Sequence, residues 1–175
     1  LLTNESASTH MAQGEAHLEA GEWPEAEAAF RLAVEADPAP AAALSKLGVA
    51  IAHQRRLEEA EQAFSRAVAV DPRYAPAWSN LGNIYRETAR PEQALEAYQR
   101  AVALDPDYWI AHQNLGGLYK QMGRTGEAIA SLRRATRLSA SRALRGPRQA
   151  GGRRIGCGGA SAAAVIIVVA AALLL

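Results

Sequence analysis

The sequence has one cysteine, Cys157, in 175 residues. It can form no disulfide within the chain, and no CxxC or Cys/His cluster accompanies it, so neither a metal site nor an oxidising compartment is called for. Aromatic residues are scarce at 6%. The Val, Ile and Thr runs that would mark strands are missing until the end of the chain, which excludes a sheet-built body. No basic stretch leads into an apolar run in the opening LLTNESASTH, so a secretory signal is not expected. The sequence does not begin on methionine, so a fragment of a longer protein stays open. The glycines of GGRRIGCGG lack the flanking strand, helix and lysine of a phosphate-binding loop and read as linker.

Basic residues are few at the start. Glu15, Glu19, Glu22, Glu25, Glu27, Glu35 and Asp37 face the single Arg31, whereas 142–154 carries arginines and no acid, so the formal net charge of +1 conceals a gradient. Nucleic acid is not expected as a partner, because a phosphate backbone needs a continuous basic track rather than one basic end. An acidic first part and a basic last part leave head-to-tail self-association possible.

What the sequence has is a period. Asp37-Pro38, Asp71-Pro72 and Asp105-Pro106 recur every 34 residues, and so do Gly14, Gly48, Gly82 and Gly116. Ala26, Ala60, Ala94 and Ala128 keep the same step, as do Ala33, Ala67, Ala101 and Ala135, with Phe30, Phe64, Tyr98 and Leu132 between them. The fourth copy lacks the closing proline and has Ala140 there.

Trp78, Leu81, Gly82 and Tyr85 lie at i, i+3, i+4 and i+7, one stripe of a helix at about 100° per residue. Glycine in mid-helix costs about 1 kcal/mol relative to alanine, so Gly82 points to close approach by a second helix. That helix opens at Pro91, whose missing N–H does no harm in a first turn, and Asp105-Pro106 stops it because proline crowds the residue before it. Each period is therefore helix, turn, helix, stop.

The pattern of bulky residue, Leu-Gly, Tyr, then Ala, Phe or Tyr, Ala and Pro resembles the tetratricopeptide repeat family. WSNLGNIYRETARPEQALEAYQRAVALDP carries it almost throughout. The resemblance implies an all-α, right-handed solenoid of four helix-turn-helix units over 7–40, 41–74, 75–108 and 109–140. A flexible basic linker is expected over 141–154, and 155–175 as a membrane segment or the truncated start of one. Those 21 uncharged residues would span about 31 Å as a helix, near the hydrocarbon thickness of about 30 Å, and the preceding arginines would keep the repeats cytoplasmic.

Because first helices line the concave side in that family, the resemblance implies a non-catalytic scaffold that holds a peptide or protein segment. The candidate groove residues are Asn80, Asn83, Arg86, Gln113, Asn114 and Lys120. Asn80 and Asn114, one period apart, look like the asparagine ladder in the repeat region of O-linked N-acetylglucosamine transferases, although Ala12 and Lys46 end it toward the N-terminus. The chaperone-tail clamp of some family members is not expected, because Ser45, Val49 and Ile110 occupy its places. No catalytic constellation, cofactor motif or metal set is found, and His10 and His112 read as packing variants at the Trp78 position. The alternative is the peptide-recognition arm of a larger, glycosyltransferase-like enzyme.

Overall fold

The computed structural model describes residues 2–37 and 39–145. Eight helices follow one another there: α1 (Leu2–Ala20), α2 (Trp23–Ala36), α3 (Ala41–His53), α4 (Leu57–Val70), α5 (Ala75–Glu87), α6 (Pro91–Leu104), α7 (Trp109–Gln121) and α8 (Thr125–Arg145). No strand occurs among the described residues. The chain divides into a unit Leu1–Leu144, which holds these helices up to Leu144, and a unit Arg145–Leu175. The rest of the expected linker, Cys157 and the apolar stretch 155–175 lie outside the described residues. Among the described residues, no helix is long and apolar enough to cross a membrane.

Odd- and even-numbered helices pair across short turns, and each pair packs on the next through α2·α3, α4·α5 and α6·α7. The mid-helix glycines explain the pairing. A Cβ built on Gly82 would stand 2.6 Å from the Tyr98 ring, closer than any real side-chain carbon, and Gly14, Gly48 and Gly116 meet Phe30, Phe64 and Leu132 in the same way. The rings of Phe30 and Tyr98 are wholly buried and that of Phe64 nearly so, flanked by Ala26, Ala60 and Ala94, each at 0% exposure. Small residues let the backbones close, and one large side chain per pair fills the gap; truncating such a plug to alanine typically costs about 3–5 kcal/mol.

The turns after even helices use the aspartate as well as the proline. Asp71 and Asp105 are extended, as residues before proline prefer, and their Oδ1 atoms accept from the N–H of Arg73 at 2.9 Å and of Asp107 at 3.0 Å. Asp37 makes the same contact with the N–H of Ala39 at 2.8 Å. At the fourth copy Ser139-Ala140 replaces the Asp-Pro signal, and α8 runs on to Arg145. It thereby enters the stretch 141–154 expected as linker, because nothing before Gly146-Pro147 breaks a helix rich in Ala, Leu and Arg. At the other end, α1 begins ahead of position 7.

Odd helices end in left-handed turns. Gly21 (φ 77°) and Gly123 (φ 74°) adopt that conformation, and so do Arg55 (φ 65°) and Ala89 (φ 58°), which have no glycine's freedom. The N–H of Ala89 bonds to the Arg86 carbonyl at 3.3 Å and that of Arg90 to the Tyr85 carbonyl at 2.7 Å, closing the helix end.

Polar latches join successive pairs. Glu27, 8% exposed, accepts from Arg31 at 2.7 Å, Gln54 at 2.7 Å and Arg56 at 2.7 Å. Burial alone would raise its pKa, but these hydrogen bonds outweigh burial and hold it below the usual carboxylate value. One period on, Glu61 receives Arg90 at 2.5 Å. A further period on, Leu95 stands in the acid's place, and Arg124 turns to its own Glu127 and lies over the Tyr119 ring.

Candidate functional site

The curvature of the array follows from which helices touch. Besides the links between pairs, α3 meets α5 and α5 meets α7, whereas α2, α4 and α6 do not meet one another in that way. The odd helices therefore line the inner side of the first unit.

A cleft of about 430 Å³ opens there between α3 and α5. Its walls include Val49 and His53 from α3, Asn80, Asn83 and Arg86 from α5, and Arg55 from the turn. Three of the sequence-predicted residues thus share one cleft, while Gln113, Asn114 and Lys120 lie on α7, outside its lining. Gln113 and Lys120 are exposed.

The asparagines have partners that the sequence did not reveal. Asn80 Nδ2 donates to Ser45 Oγ at 3.3 Å, and Asn114 Nδ2 donates to Ser79 Oγ at 3.2 Å, so each ties its pair to the one before. Ser45 and Ser79 are buried at 3% and 0% exposure, so these bonds also satisfy hydroxyls inside the stack. Lys46, in the Asn80 place one period earlier, reaches Glu15 at 3.2 Å instead. Gln113 takes the serine's place in the last pair.

Asn83 is held from the other side. Its Oδ1 accepts a 2.7 Å hydrogen bond from the Tyr98 hydroxyl, and burial pushes the Tyr98 phenol up to about 12. The amide nitrogen of Asn83 is thereby left as the donor toward the cleft, and the carbonyls of Asn80 and Asn114 are left as acceptors.

Charge completes the site. Arg55 pairs with Glu87 at 2.6 Å. Arg86 has no carboxylate at ion-pair distance among the described residues. It lines the α3–α5 cleft and a second one of about 550 Å³ shared with Glu92, Leu118, Gln121 and Met122. A methyl built on Gly117 would lie 3.7 Å from Arg86 Nη1, so the guanidinium rests over α7 where no side chain intervenes. Sequence reasoning missed His53 and Arg55; the signal available was register, since His53 is one period before Glu87.

The histidines act as packing and turn residues. His112 Nε2 lies 3.0 Å from the Pro106 carbonyl, just as Trp78 Nε1 donates to the Pro72 carbonyl at 3.0 Å. His53 stacks on Trp23 with centroids 4.0 Å apart, and His17 Nδ1 lies 2.6 Å from Glu22 Oε2. Among the described residues no group of His, Cys, Asp or Glu could hold a metal ion.

This architecture has known counterparts. Residues 11–77, 75–108 and 97–130 each match the tetratricopeptide repeat family. The chain belongs to the tetratricopeptide repeat family. Among solved structures the repeat protein is similar to MamA, at 26% identity and a TM-score of 0.65 over 79% of this chain and 81% of that one. It is also similar to Pseudomonas aeruginosa PilF, at 26% identity and a TM-score of 0.73 over 81% of this chain and 65% of that one. The TPR domain of Arabidopsis OM64 shares the fold at 20% identity, with a TM-score of 0.64 over 68% of this chain and 98% of that domain. No curated protein matches the sequence. Tetratricopeptide arrays are in general scaffolds for protein or peptide partners.

Proposed function

We propose that this repeat protein is a non-catalytic scaffold that grips an extended polypeptide segment along α3, α5 and α7, with an acidic residue of that segment on Arg86. The observation that carries the reading is Arg86 itself, a half-buried cation between two clefts that makes no ion pair among the described residues, the nearby Glu87 being taken by Arg55. A guanidinium presents a fork of donors that matches a carboxylate in two bonds. The amides supply a register for main chain: a peptide N–H can donate to Asn80 Oδ1, and a peptide carbonyl can accept from Asn83 Nδ2. Lys120, exposed one period after Arg86, extends the positive side.

The test is a randomised peptide library presented to the full chain and to its Arg86→Glu variant. Enriched sequences should share an acidic position and lose binding to the variant. Peptides that bind both proteins equally would remove the groove reading.

A second reading concerns the apolar residues 155–175, whose length and lack of charge suit a membrane anchor behind a basic stretch. Alkaline extraction of membranes from cells that make the full chain tests it. A chain released into the soluble fraction would end the idea.

A further inference from the structure

The 34-residue period makes every interface between pairs a copy of the last, so the two ends of the array carry the two halves of one interface. Inside the stack, α6 offers Leu95, Tyr98 and Val102 to Leu115, Leu118 and Tyr119 of α7. One period on, α8 carries Ile129, Leu132 and Thr136 in those places, and Ile129 is 46% and Leu132 38% exposed where Tyr98 is wholly buried.

The opposite half stands open on α1. The α7 positions 115, 118, 119 and 122 correspond, three periods earlier, to Gln13, Ala16, His17 and Ala20, of which His17 is half-buried and the other three are exposed. Two branched side chains thus stand out from one end, and the short side chains of Ala16 and Ala20 lie at the other. Such surfaces suit each other sterically, because small residues let a neighbouring backbone come close.

Charge selects the same pairing. Within the stack, Gln99 Nε2 of α6 donates to the Tyr119 hydroxyl of α7 at 3.4 Å. Carried one period on, Gln99 becomes Arg133; carried three periods back, Tyr119 becomes His17, whose ring is held by Glu22. Joined in the register of the internal interfaces, the two ends set Arg133 against His17 and Glu22. The excess of acid in the first pair and of arginine along α8 adds a longer-ranged attraction.

We propose that two copies of this chain associate head to tail, α1 of one copy seated on Ile129 and Leu132 of the other, with Arg133 facing Glu22. This continues the repeat stack from one molecule into the next. Such an interface uses different surfaces on the two copies, so it leaves one open end of each kind and permits further addition.

Sedimentation velocity of the full chain at low and high ionic strength, with Glu22→Arg and Arg133→Glu, tests the pairing. The wild-type average mass should rise with concentration and fall with added salt. Each single reversal should weaken association by about tenfold or more, on the scale of about 1.4 kcal/mol per decade. An equimolar mixture of the two variants should associate again, because each then meets an opposite charge at both ends. Circular dichroism verifies that the variants fold, and Ile129→Lys reads the same face without touching Glu22. A chain that stays monomeric at every concentration in low salt overturns the proposal. So does association unaltered by both reversals, which would assign self-association to another surface such as 155–175. Because Arg86 lies away from both ends, Arg86→Glu should leave the association as it was.

Discussion

The Tyr98 hydroxyl donates to Asn83 Oδ1 at 2.7 Å, joining the buried plug of the third pair to a residue that lines the α3–α5 cleft. One period earlier the same two places hold Phe64 and Val49, a plug without a hydroxyl and a groove residue without an acceptor. The pair changes together, as the cost of a buried unpaired hydroxyl requires.

A double-mutant cycle follows from this. Tyr98→Phe should cost about 1 kcal/mol, since Asn83 is only half buried and can turn to water. Asn83→Val should cost about 1–3 kcal/mol, because it leaves the hydroxyl buried without a partner. The double variant restores the Val–Phe pair of the second repeat, so its cost should fall well below the sum, with a coupling of about 1 kcal/mol or more. Urea denaturation of the four proteins measures it, and additive losses would break the link between plug and groove.

Alkaline pH tests the same plug. Burial raises the Tyr98 phenol from 10.0 to about 12, so the unfolded chain gives up that proton first. Its contribution is whole below pH 10.0 and is lost as pH rises toward about 12, on the order of 2–3 kcal/mol at the top of that window. Tyr74, Tyr85 and Tyr108 are shifted upward by burial too and slope the same way. Melting temperature followed across this range should therefore fall for the wild type and fall less steeply for Tyr98→Phe. Parallel curves would mean that Tyr98 ionises as freely in the fold as in the unfolded chain.

How much of this was legible in the sequence depends on whether a residue acts within its own period or across periods. Gly82 and Tyr98 could be read as a close approach and its plug, because the stripe, the glycine and the aromatic recur together. The contacts from Asn80 to Ser45 and from Arg90 to Glu61 could not, because they join different units and depend on how one pair is rotated on the next. Asn80 and Asn114 were visible as a polar repeat one period apart, yet nothing within one period betrays that their amide nitrogens are already engaged. The run of α8 past position 140 was open to reading in the missing Asp-Pro, a stop signal whose absence lets a helix continue.

Two glycines on odd helices should respond in opposite directions. At Gly82 an alanine Cβ would meet the Tyr98 ring at 2.6 Å, and a fully buried ring has nowhere to go. Gly82→Ala should then destabilise by about 1–3 kcal/mol despite the better helix former. At Gly117 the nearest atom would be the tip of Arg86 at 3.7 Å, an ordinary contact, so Gly117→Ala should stabilise by about 1 kcal/mol. Thermal melting of the two variants decides, and loss of stability at Gly117 would show that the helix there needs glycine for packing.

The turns permit a cleaner exchange, because their strain is in the backbone alone. Ala89 is held at φ 58° and Gly123, its counterpart one period later, at φ 74°. A left-handed conformation brings Cβ too near the following carbonyl and costs an alanine about 1–2 kcal/mol, while glycine gives back about 0.5–1 kcal/mol through its freer unfolded chain. Ala89→Gly should therefore raise stability by about 0.5–1 kcal/mol, and Gly123→Ala, where no atom lies within 4 Å of the added carbon, should lower it by a similar amount. Chemical denaturation midpoints that move apart in these directions would assign the effect to the dihedral. A gain from Gly123→Ala would mean instead that the unfolded-chain entropy outweighs the strain, and that the left-handed ends of the odd helices cost the fold little.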